Sequence, residues 1–227
     1  MRSVPSMLPI PEGPVAAVVA HPDDETFGLG ALLANLAGEG RDVRVLCFTH
    51  GEASTVGATD GLGEIRGREL FDAAEVLGVA QVTLLDLPDG SLDAVPETEL
   101  DARIDGWLAP DVAALLVFEP QGVTGHADHR AASLAAERVA DERMLPVVEW
   151  GIAPVAASQL GDQHGLSFES IGDGPEVYDV RVDRTAQLAA IQRHTSQLDD
   201  ELIVCKVLAL HGDFDRVRIR RPARERS

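Results

Sequence analysis

Two clusters of histidine and carboxylate side chains have the residue types that metal chemistry needs. The first is the run HPDDE at residues 21–25, and the second is GHADH at residues 125–129. Three carboxylates within five residues would repel one another and lose hydration on burial unless something neutralised them. A divalent cation does this, and imidazole nitrogen with carboxylate oxygen is a normal ligand set for zinc, iron or manganese.

A purely structural role is the alternative for the first cluster. Aspartate is favoured at helix N-caps and acidic side chains suit a first helical turn, so HPDDE could simply begin a helix. The second cluster favours a metal site, because His126 and His129 lie three residues apart and are neighbours on a turn or at the start of a helix. A catalytic zinc site typically has three protein ligands and one position open to water.

Other catalytic templates are missing from the sequence. It has no GxSxG elbow for a serine nucleophile and no Walker A phosphate loop. Cys47 and Cys205 are far apart, which excludes a disulfide framework and a structural cysteine zinc site. The GLG at residues 28–30 lacks the third glycine of a dinucleotide fingerprint, because Leu33 stands at that position.

The elements that must position the clusters follow from the hydrophobic pattern. Short apolar runs alternate with helical patterns, which is typical of βαβ units. We therefore predict a single α/β domain over residues 1–227, a Rossmann-like three-layer sandwich in which a mostly parallel sheet has helices on both faces. Strands are predicted at 15–20, 43–49, 82–87, 112–119, 147–152 and 176–182, and helices at 26–36, 64–77, 97–108, 129–141, 183–195 and 199–210.

This arrangement predicts that the two clusters meet. HPDDE follows the first predicted strand and GHADH follows the fourth. Ligands bind at the carboxyl ends of the strands in open α/β sheets, so both clusters belong in one cleft. The stretch at residues 153–175 is loop-rich and has no assignable order.

The C-terminal segment is basic in an acidic chain. Six arginines occur in residues 216–227, against one acid. Residues 215–220 alternate arginine with Val217 and Ile219, which predicts an edge strand followed by a solvated tail. The alternative is that this segment docks onto the acidic body or onto a second subunit.

Overall composition excludes several classes of partner. The 227 residues include 38 acids and 19 bases, a formal net charge of −19, which argues against general binding to nucleic acid. The longest apolar runs are six or seven residues, far short of the roughly 20 that span a bilayer. With no signal-peptide pattern at the N-terminus, we expect a cytoplasmic protein that does not bind membranes.

The two clusters resemble the metal motifs of the PIG-L/LmbE-like zinc-dependent N-acetylglucosaminyl de-N-acetylases. The resemblance covers about residues 14–198. Supporting matches are GE at 51–52, RGREL at 66–70, DLPDG at 86–90, Trp150 and HTSQ at 194–197. The chain departs from the family pattern at Ala127, where a proline is usual, and at Thr124, where some relatives have a tyrosine.

The resemblance implies a role for each matching residue. It makes His21, Asp24 and His129 the metal ligands and Asp23 the general base. His126 would stabilise the oxyanion, in its charged form, or protonate the leaving amine, and Asp128 would orient a histidine. Arg66, Asp89 and Glu52 would contact substrate.

The activity implied is hydrolysis of an N-acetyl group in a small molecule that contains an amino sugar. The implied cofactor is Zn²⁺, with Fe²⁺ or another divalent ion as alternatives. Two other functions stay open: hydrolysis of a different amide or ester, and non-catalytic binding of a small molecule or metal. A homo-oligomer is the default expectation for quaternary structure.

Overall fold

A computed structural model describes residues 8–165, 167–198 and 203–222. Its centre is a seven-stranded sheet with the strand order β3-β2-β1-β4-β5-β7-β6. Strands β1 to β5 are parallel, and β7 is antiparallel to both of its neighbours. The strands are β1 (Val15–Val19), β2 (Val43–Thr49), β3 (Gln81–Leu87), β4 (Ala114–Phe118), β5 (Val147–Gly151), β6 (Val177–Arg181) and β7 (Phe214–Arg220).

Helices connect the strands on both sides of the sheet. They are α1 (Asp24–Phe27), α2 (Gly30–Gly38), α3 (Leu62–Leu77), α4 (Glu97–Trp107), α5 (Ala127–Arg143), α6 (Pro154–His164), α7 (Thr185–Ile191) and α8 (Ile203–His211). The predicted alternation of strands and helices is therefore confirmed. None of the helices in the described residues is long and apolar enough to cross a membrane.

The first strand shows why the sheet is buried on both faces. Val15, Ala17 and Val19 pack into one apolar layer with α2, α3 and α7. Ala16 and Val18 point to the opposite layer, which α4 and α5 cover. Because successive strand residues alternate between faces, a continuously apolar strand needs helices on both sides. The three-layer α/β architecture is confirmed.

The basic C-terminal segment forms an interior strand, so the prediction of an edge strand is wrong. β7 lies between β5 and β6, and β6 forms the edge. Val217 and Ile219 are buried in the apolar layer. The opposite face of β7 has arginines, and their ion pairs with carboxylates allow the strand to lie inside the sheet. Arg216 contacts Asp173 and Asp179, Arg218 contacts Glu149, and Arg220 contacts Asp141.

This pairing confirms docking onto the acidic body for the part of the segment that the structure describes. The rest of the predicted tail, residues 223–227, lies outside the described residues. Residues 199–202 of the predicted helix at 199–210 also lie outside them, and α8 covers the remainder.

Two helical predictions need correction, and one stretch without an assignment contains a helix. The helix predicted at 26–36 is two helices, α1 and α2, separated at Gly28, whose missing Cβ would come 2.2 Å from the ring of Phe118. The unassigned stretch at 153–175 contains α6, which begins at Pro154, where a fixed φ suits a first helical turn. The helix predicted at 183–195 ends at Ile191, and a 3₁₀ turn follows at Thr195–Gln197.

The topology puts both clusters at one place. β1 and β4 are neighbours, and the strand order reverses direction between them. Such a switch point opens a crevice beyond the carboxyl ends of the strands. HPDDE follows β1 and GHADH lies at the start of α5, after β4, so the fold brings the clusters together as predicted.

Candidate metal centre

Hydrogen bonds to the backbone hold the turn after β1. Asp24 begins α1, and its Oδ2 accepts the N–H groups of Ala20 and His21 at 3.2 and 2.9 Å. Asp23, just before the helix, has a φ of +121°. A non-glycine residue in this region costs on the order of 1–3 kcal/mol and persists only where its surroundings fix it. The turn thus holds two adjacent carboxylates in one site at a cost in backbone strain.

Ligand atoms of three residues meet beyond the ends of β1 and β4. His21 Nδ1 lies 3.2 Å from His129 Nε2. Asp24 places Oδ1 3.1 Å from His129 Nε2 and Oδ2 3.5 Å from His21 Nδ1. Ligands at about 2.0–2.1 Å from a tetrahedral zinc ion stand roughly 3.3 Å apart, so these three residues fit a divalent cation.

The His21 ring is oriented by carboxylates on its other nitrogen. Nε2 lies 3.1 Å from Asp128 Oδ2 and 3.0 Å from Asp89 Oδ1. A proton on Nε2 leaves the Nδ1 lone pair facing His129, as a ligand nitrogen requires. Burial lowers the pKa of His21, but hydrogen bonds to Asp128, Asp24 and Asp89 outweigh it and raise the pKa to about 12. The carboxylates around this ring therefore favour positive charge here, which a proton supplies when no metal is bound and which a cation would also supply.

Asp128 is fully buried, and hydrogen bonds fix its carboxylate beside the His21 ring. Its oxygens accept the N–H groups of Gly90 and Leu92 at 2.7 and 3.0 Å. Asp128 also forms, with His21 and His126, a second group of donor atoms within 4.8 Å of one another. The Asp128 oxygens are thus already occupied by two backbone N–H groups and by His21.

His126 faces the site as a neutral donor. The backbone N–H of Asp128 donates to His126 Nδ1 at 3.2 Å, which puts the proton of the neutral ring on Nε2. Burial lowers the pKa of His126, and the neighbouring His129 and His21 lower it further. This differs from the charged ring that we expected from the sequence, because a charged imidazole would have no lone pair for that N–H group.

The Asp23 carboxylate is held by an arginine. Arg66 Nη2 donates to Asp23 Oδ2 at 2.9 Å and to the Pro22 carbonyl at 2.6 Å, while Nη1 donates to the Gly51 carbonyl at 2.6 Å. Burial raises the pKa of Asp23 to about 6, Arg66 acts to lower it, and Asp24 adds to the rise. A carboxylate with a pKa near neutrality is suited to accept and return a proton.

A cavity of about 450 Å³ opens onto these groups. His21, Asp23, Asp24, His126 and His129 all line it. Its volume is within the usual range for small-molecule sites. The donor set, the neutral imidazole and the aspartate of raised pKa thus face one space that a small substrate can enter.

Comparison with protein families agrees with this geometry. Residues 16–140, 125 of the 227, match the family model PIG-L, described as GlcNAc-PI de-N-acetylase. The chain belongs to the PIG-L family. Both HPDDE and GHADH fall within the matched residues.

Individual relatives of this PIG-L chain are deacetylases. A 1D-myo-inositol 2-acetamido-2-deoxy-alpha-D-glucopyranoside deacetylase of Corynebacterium diphtheriae is 32% identical over 178 residues, 64% of this chain and 58% of that protein. The chain thus matches little more than half the length of this relative.

Solved structures share the fold. A triple mutant of a deacetylase from the teicoplanin biosynthetic pathway has a TM-score of 0.70 at 20% identity, covering 92% of this chain and 99% of the other. The N,N'-diacetylchitobiose deacetylase of Pyrococcus horikoshii has a TM-score of 0.60 at 22% identity, covering 91% and 83%.

The three residues predicted to contact substrate in this PIG-L chain lie in different places. Arg66 and Asp89 line the cavity, but Arg66 is bonded to Asp23 and Asp89 to His21. Glu52 accepts the Asp89 N–H at 3.1 Å and lies outside the residues that line the cavity.

The cavity wall contains residues that sequence reasoning did not assign. Phe27, Ser54, Thr55 and Gln197 line it. Ser54 Oγ donates to Gln197 Oε1 at 2.9 Å, so the loop after β2 and the turn after α7 are joined. The HTSQ match at 194–197 was the available signal for Gln197, whereas nothing in the pattern marked Phe27 or the Ser54–Thr55 loop.

Proposed function

We propose that this PIG-L chain is a metal-dependent de-N-acetylase that hydrolyses the acetamide of an amino sugar within a small molecule. The observation that carries the proposal is that His21, Asp24 and His129 bring ligand atoms within 3.1–3.5 Å of one another in the cavity that also holds the Asp23 carboxylate. Zinc is the proposed cation, because two imidazoles and one carboxylate form a common catalytic zinc set.

Bound to His21, Asp24 and His129, a zinc ion would lower the pKa of water to about 7 and polarise the acetyl carbonyl. Asp23 accepts the proton of the attacking water. Burial raises the pKa of Asp23 to about 6, so the carboxylate is a stronger base than an ordinary aspartate and is still ionised at neutral pH. Asp23 then returns the proton to the departing nitrogen, so that acetate and a free amine leave.

His126 stabilises the charge that develops on the acetyl oxygen. Nδ1 of this ring is already occupied, and Nε2–H has no acceptor among the residues that the structure describes. One such donor typically contributes about 2.7–4 kcal/mol to the transition state. Asp128 acts through His21, by fixing the ring that binds the cation.

The substrate class rests on the relatives. The Corynebacterium relative is named for an N-acetylglucosaminyl inositol and the Pyrococcus enzyme for diacetylchitobiose. We propose a neutral N-acetylglucosamine conjugate, with Asp89 and Arg66 as contacts at the cavity wall and Glu52 acting through Asp89. A single domain, a cytoplasmic location, a homo-oligomer and the lack of nucleic-acid or membrane partners stay predictions from the sequence.

The test is acetate release by the zinc-loaded protein. N-Acetylglucosaminyl inositol, diacetylchitobiose and N-acetylglucosamine would be compared with simple acetamides and acetate esters. We expect turnover of at least one amino sugar and, for Asp23→Asn, full metal content with kcat lowered about 10²–10⁴-fold. Turnover of esters alone would make the protein a different hydrolase, and no turnover with metal bound would make it a binding protein.

A further inference from the structure

A buried acid–histidine pair lies behind the general base. Glu25 Oε1 and His194 Nε2 are 2.9 Å apart, and both side chains are completely buried. Neither lines the cavity. The pair joins α1 to the segment after α7, across 169 positions of the chain. The proposed mechanism uses neither residue, yet two buried ionisable groups need a specific arrangement to be tolerated.

Glu25 holds the backbone of Asp23. Its Oε2 accepts the Asp23 N–H at 2.9 Å, and its Oε1 accepts the Thr26 hydroxyl at 2.6 Å as well as His194 Nε2. Asp23 is the residue with a φ of +121°. A strained backbone persists only where neighbouring groups over-determine it, and this hydrogen bond is one that acts directly on the strained residue.

The histidine is itself fixed in place. The N–H of His194 donates to the Ile191 carbonyl at 3.2 Å, and the ring packs edge-on against Phe27. The next two residues are tied to α3 through Glu69, whose oxygens accept Thr195 Oγ1, Ser196 N and Ser196 Oγ at 2.6–2.8 Å. The HTSQ segment thus forms a rigid support from which His194 can hold Glu25.

We propose that Glu25 and His194 are positioning residues that fix the strained Asp23 backbone, so that the Asp23 carboxylate points into the cavity while Arg66 holds its side chain. The inference rests on the proposed function, in which Asp23 is the general base. Neither residue touches substrate. Their contribution therefore belongs in kcat and not in substrate binding or metal content.

The first experiment substitutes Glu25→Gln, which cannot accept hydrogen bonds on both sides because one oxygen becomes an NH₂ group. We expect kcat to fall at least tenfold, with KM within threefold and zinc content unchanged. Glu149→Gln is the matched control, since Glu149 is an equally buried carboxylate on β5, and we expect its kcat to stay within twofold. An equal loss of kcat in both variants would overturn the proposal.

A second pair of variants covers the case in which Glu25→Gln fails to fold. His194→Leu removes the donor, whereas the Nε2 of His194→Gln can reach the same oxygen. We expect at least tenfold lower kcat for His194→Leu and recovery to within about threefold of wild type for His194→Gln. Equal activity of the two variants would contradict a role for the hydrogen bond.

A double-mutant cycle separates positioning from general stability. In an Asp23→Asn background, Glu25→Gln should change the residual kcat less than twofold, because the base through which it acts is gone. The same fold loss in both backgrounds would mean that Glu25 acts on the structure as a whole.

Crystal structures of wild type and Glu25→Gln test the inference without any assay. We expect the Asp23 φ to become negative and the carboxylate to leave the cavity in the variant. An unchanged Asp23 conformation would overturn the proposal even if the protein deacetylates sugars. Failure of acetate release by wild type would remove the proposed function instead, and this structural result would still stand.

Discussion

At the scale of single residues, neighbouring side chains of the same type lie in different environments within the site. Asp23 and Asp24 are adjacent, yet Asp24 faces two imidazoles and Asp23 faces Arg66. Contact with His129 and His21 holds the pKa of Asp24 well below its usual range despite burial, whereas burial raises that of Asp23 to about 6. From these different environments we propose that Asp24 binds the cation and that Asp23 transfers the proton.

The two histidines of GHADH should also differ in function, and substitution of each should affect a different property. For His126→Ala we expect kcat about 10²–10³-fold lower with zinc content intact, because a donor to the developing oxyanion is lost. For His129→Ala we expect depleted zinc, because one of three ligands is lost. Metal analysis alongside acetate release checks both, and equal zinc content in the two variants would refute the ligand assignment.

The pH profile reports on Asp23. The base must be ionised, so kcat/KM should fall as the pH drops through the pKa of this carboxyl. Arg66 acts to lower that pKa, so Arg66→Met should move the acidic limb to higher pH. Arg68→Met on the same helix is the matched control, because Arg68 is exposed and donates only to the Glu64 carbonyl in the described structure. A limb that stays in place in Arg66→Met would contradict the pairing.

At the scale of elements, hydrophobic periodicity predicted the parallel strands well. It misplaced β7, whose position in the sheet depends on residues far away in the sequence. β1 is apolar throughout, so its burial between two helical layers follows from local sequence. β7 alternates arginine with aliphatic residues, which looks like a half-exposed edge. Its interior place depends on Glu149, Asp179 and other acids far along the chain, and a local pattern carries no information about them.

The Arg218–Glu149 pair makes that dependence measurable. Burial raises the pKa of Glu149 to about 7, above its ordinary value of 4.5, while Arg218 acts to lower it. Since the folded pKa is the higher one, ionisation of Glu149 opposes folding increasingly as pH rises from about 4.5. Arg218→Met should therefore cost about 2 kcal/mol at pH 8, less than the 3–5 kcal/mol of a fully buried pair because Arg218 is partly exposed.

Urea unfolding at pH 8 and pH 5 measures this loss, which should shrink at pH 5 where Glu149 is protonated. Arg103→Met is the control, because the Arg103–Glu99 pair is exposed on α4 and should change stability by less than about 0.5 kcal/mol. A loss for Arg218→Met that is equal at both pH values would contradict the role given to Glu149.

At the scale of the whole molecule, the site was predictable because its two halves are contiguous motifs. The family resemblance selected His21, Asp24 and His129 as the ligands, and the pairing of β1 with β4 explains why the two motifs meet. The sequence could not predict that Asp89 orients His21 or that Glu25 pairs with His194. Each contact joins segments that are distant in the sequence and come together only in the folded chain. The neutral state of His126 was also not predictable, because it depends on a hydrogen bond from the backbone N–H of Asp128.

The site also links the ends of β1 and β4, so a bound cation should stabilise the fold. Zinc at 100 times its Kd would add about 2.7 kcal/mol. Thermal unfolding should show a higher Tm with zinc for wild type and for Asp23→Asn, but not for His129→Ala. Zinc stabilisation that survives loss of His129 would place the cation elsewhere.

The most direct measurement is anomalous diffraction at the zinc edge from crystals of the zinc-loaded protein. We predict one ion at about 2.0–2.1 Å from His21 Nδ1, an Asp24 oxygen and His129 Nε2, with a further position open to the cavity that Asp23 and His126 line. An ion bound to His126 and Asp128 instead, or zinc bound only outside this cavity, would contradict the account.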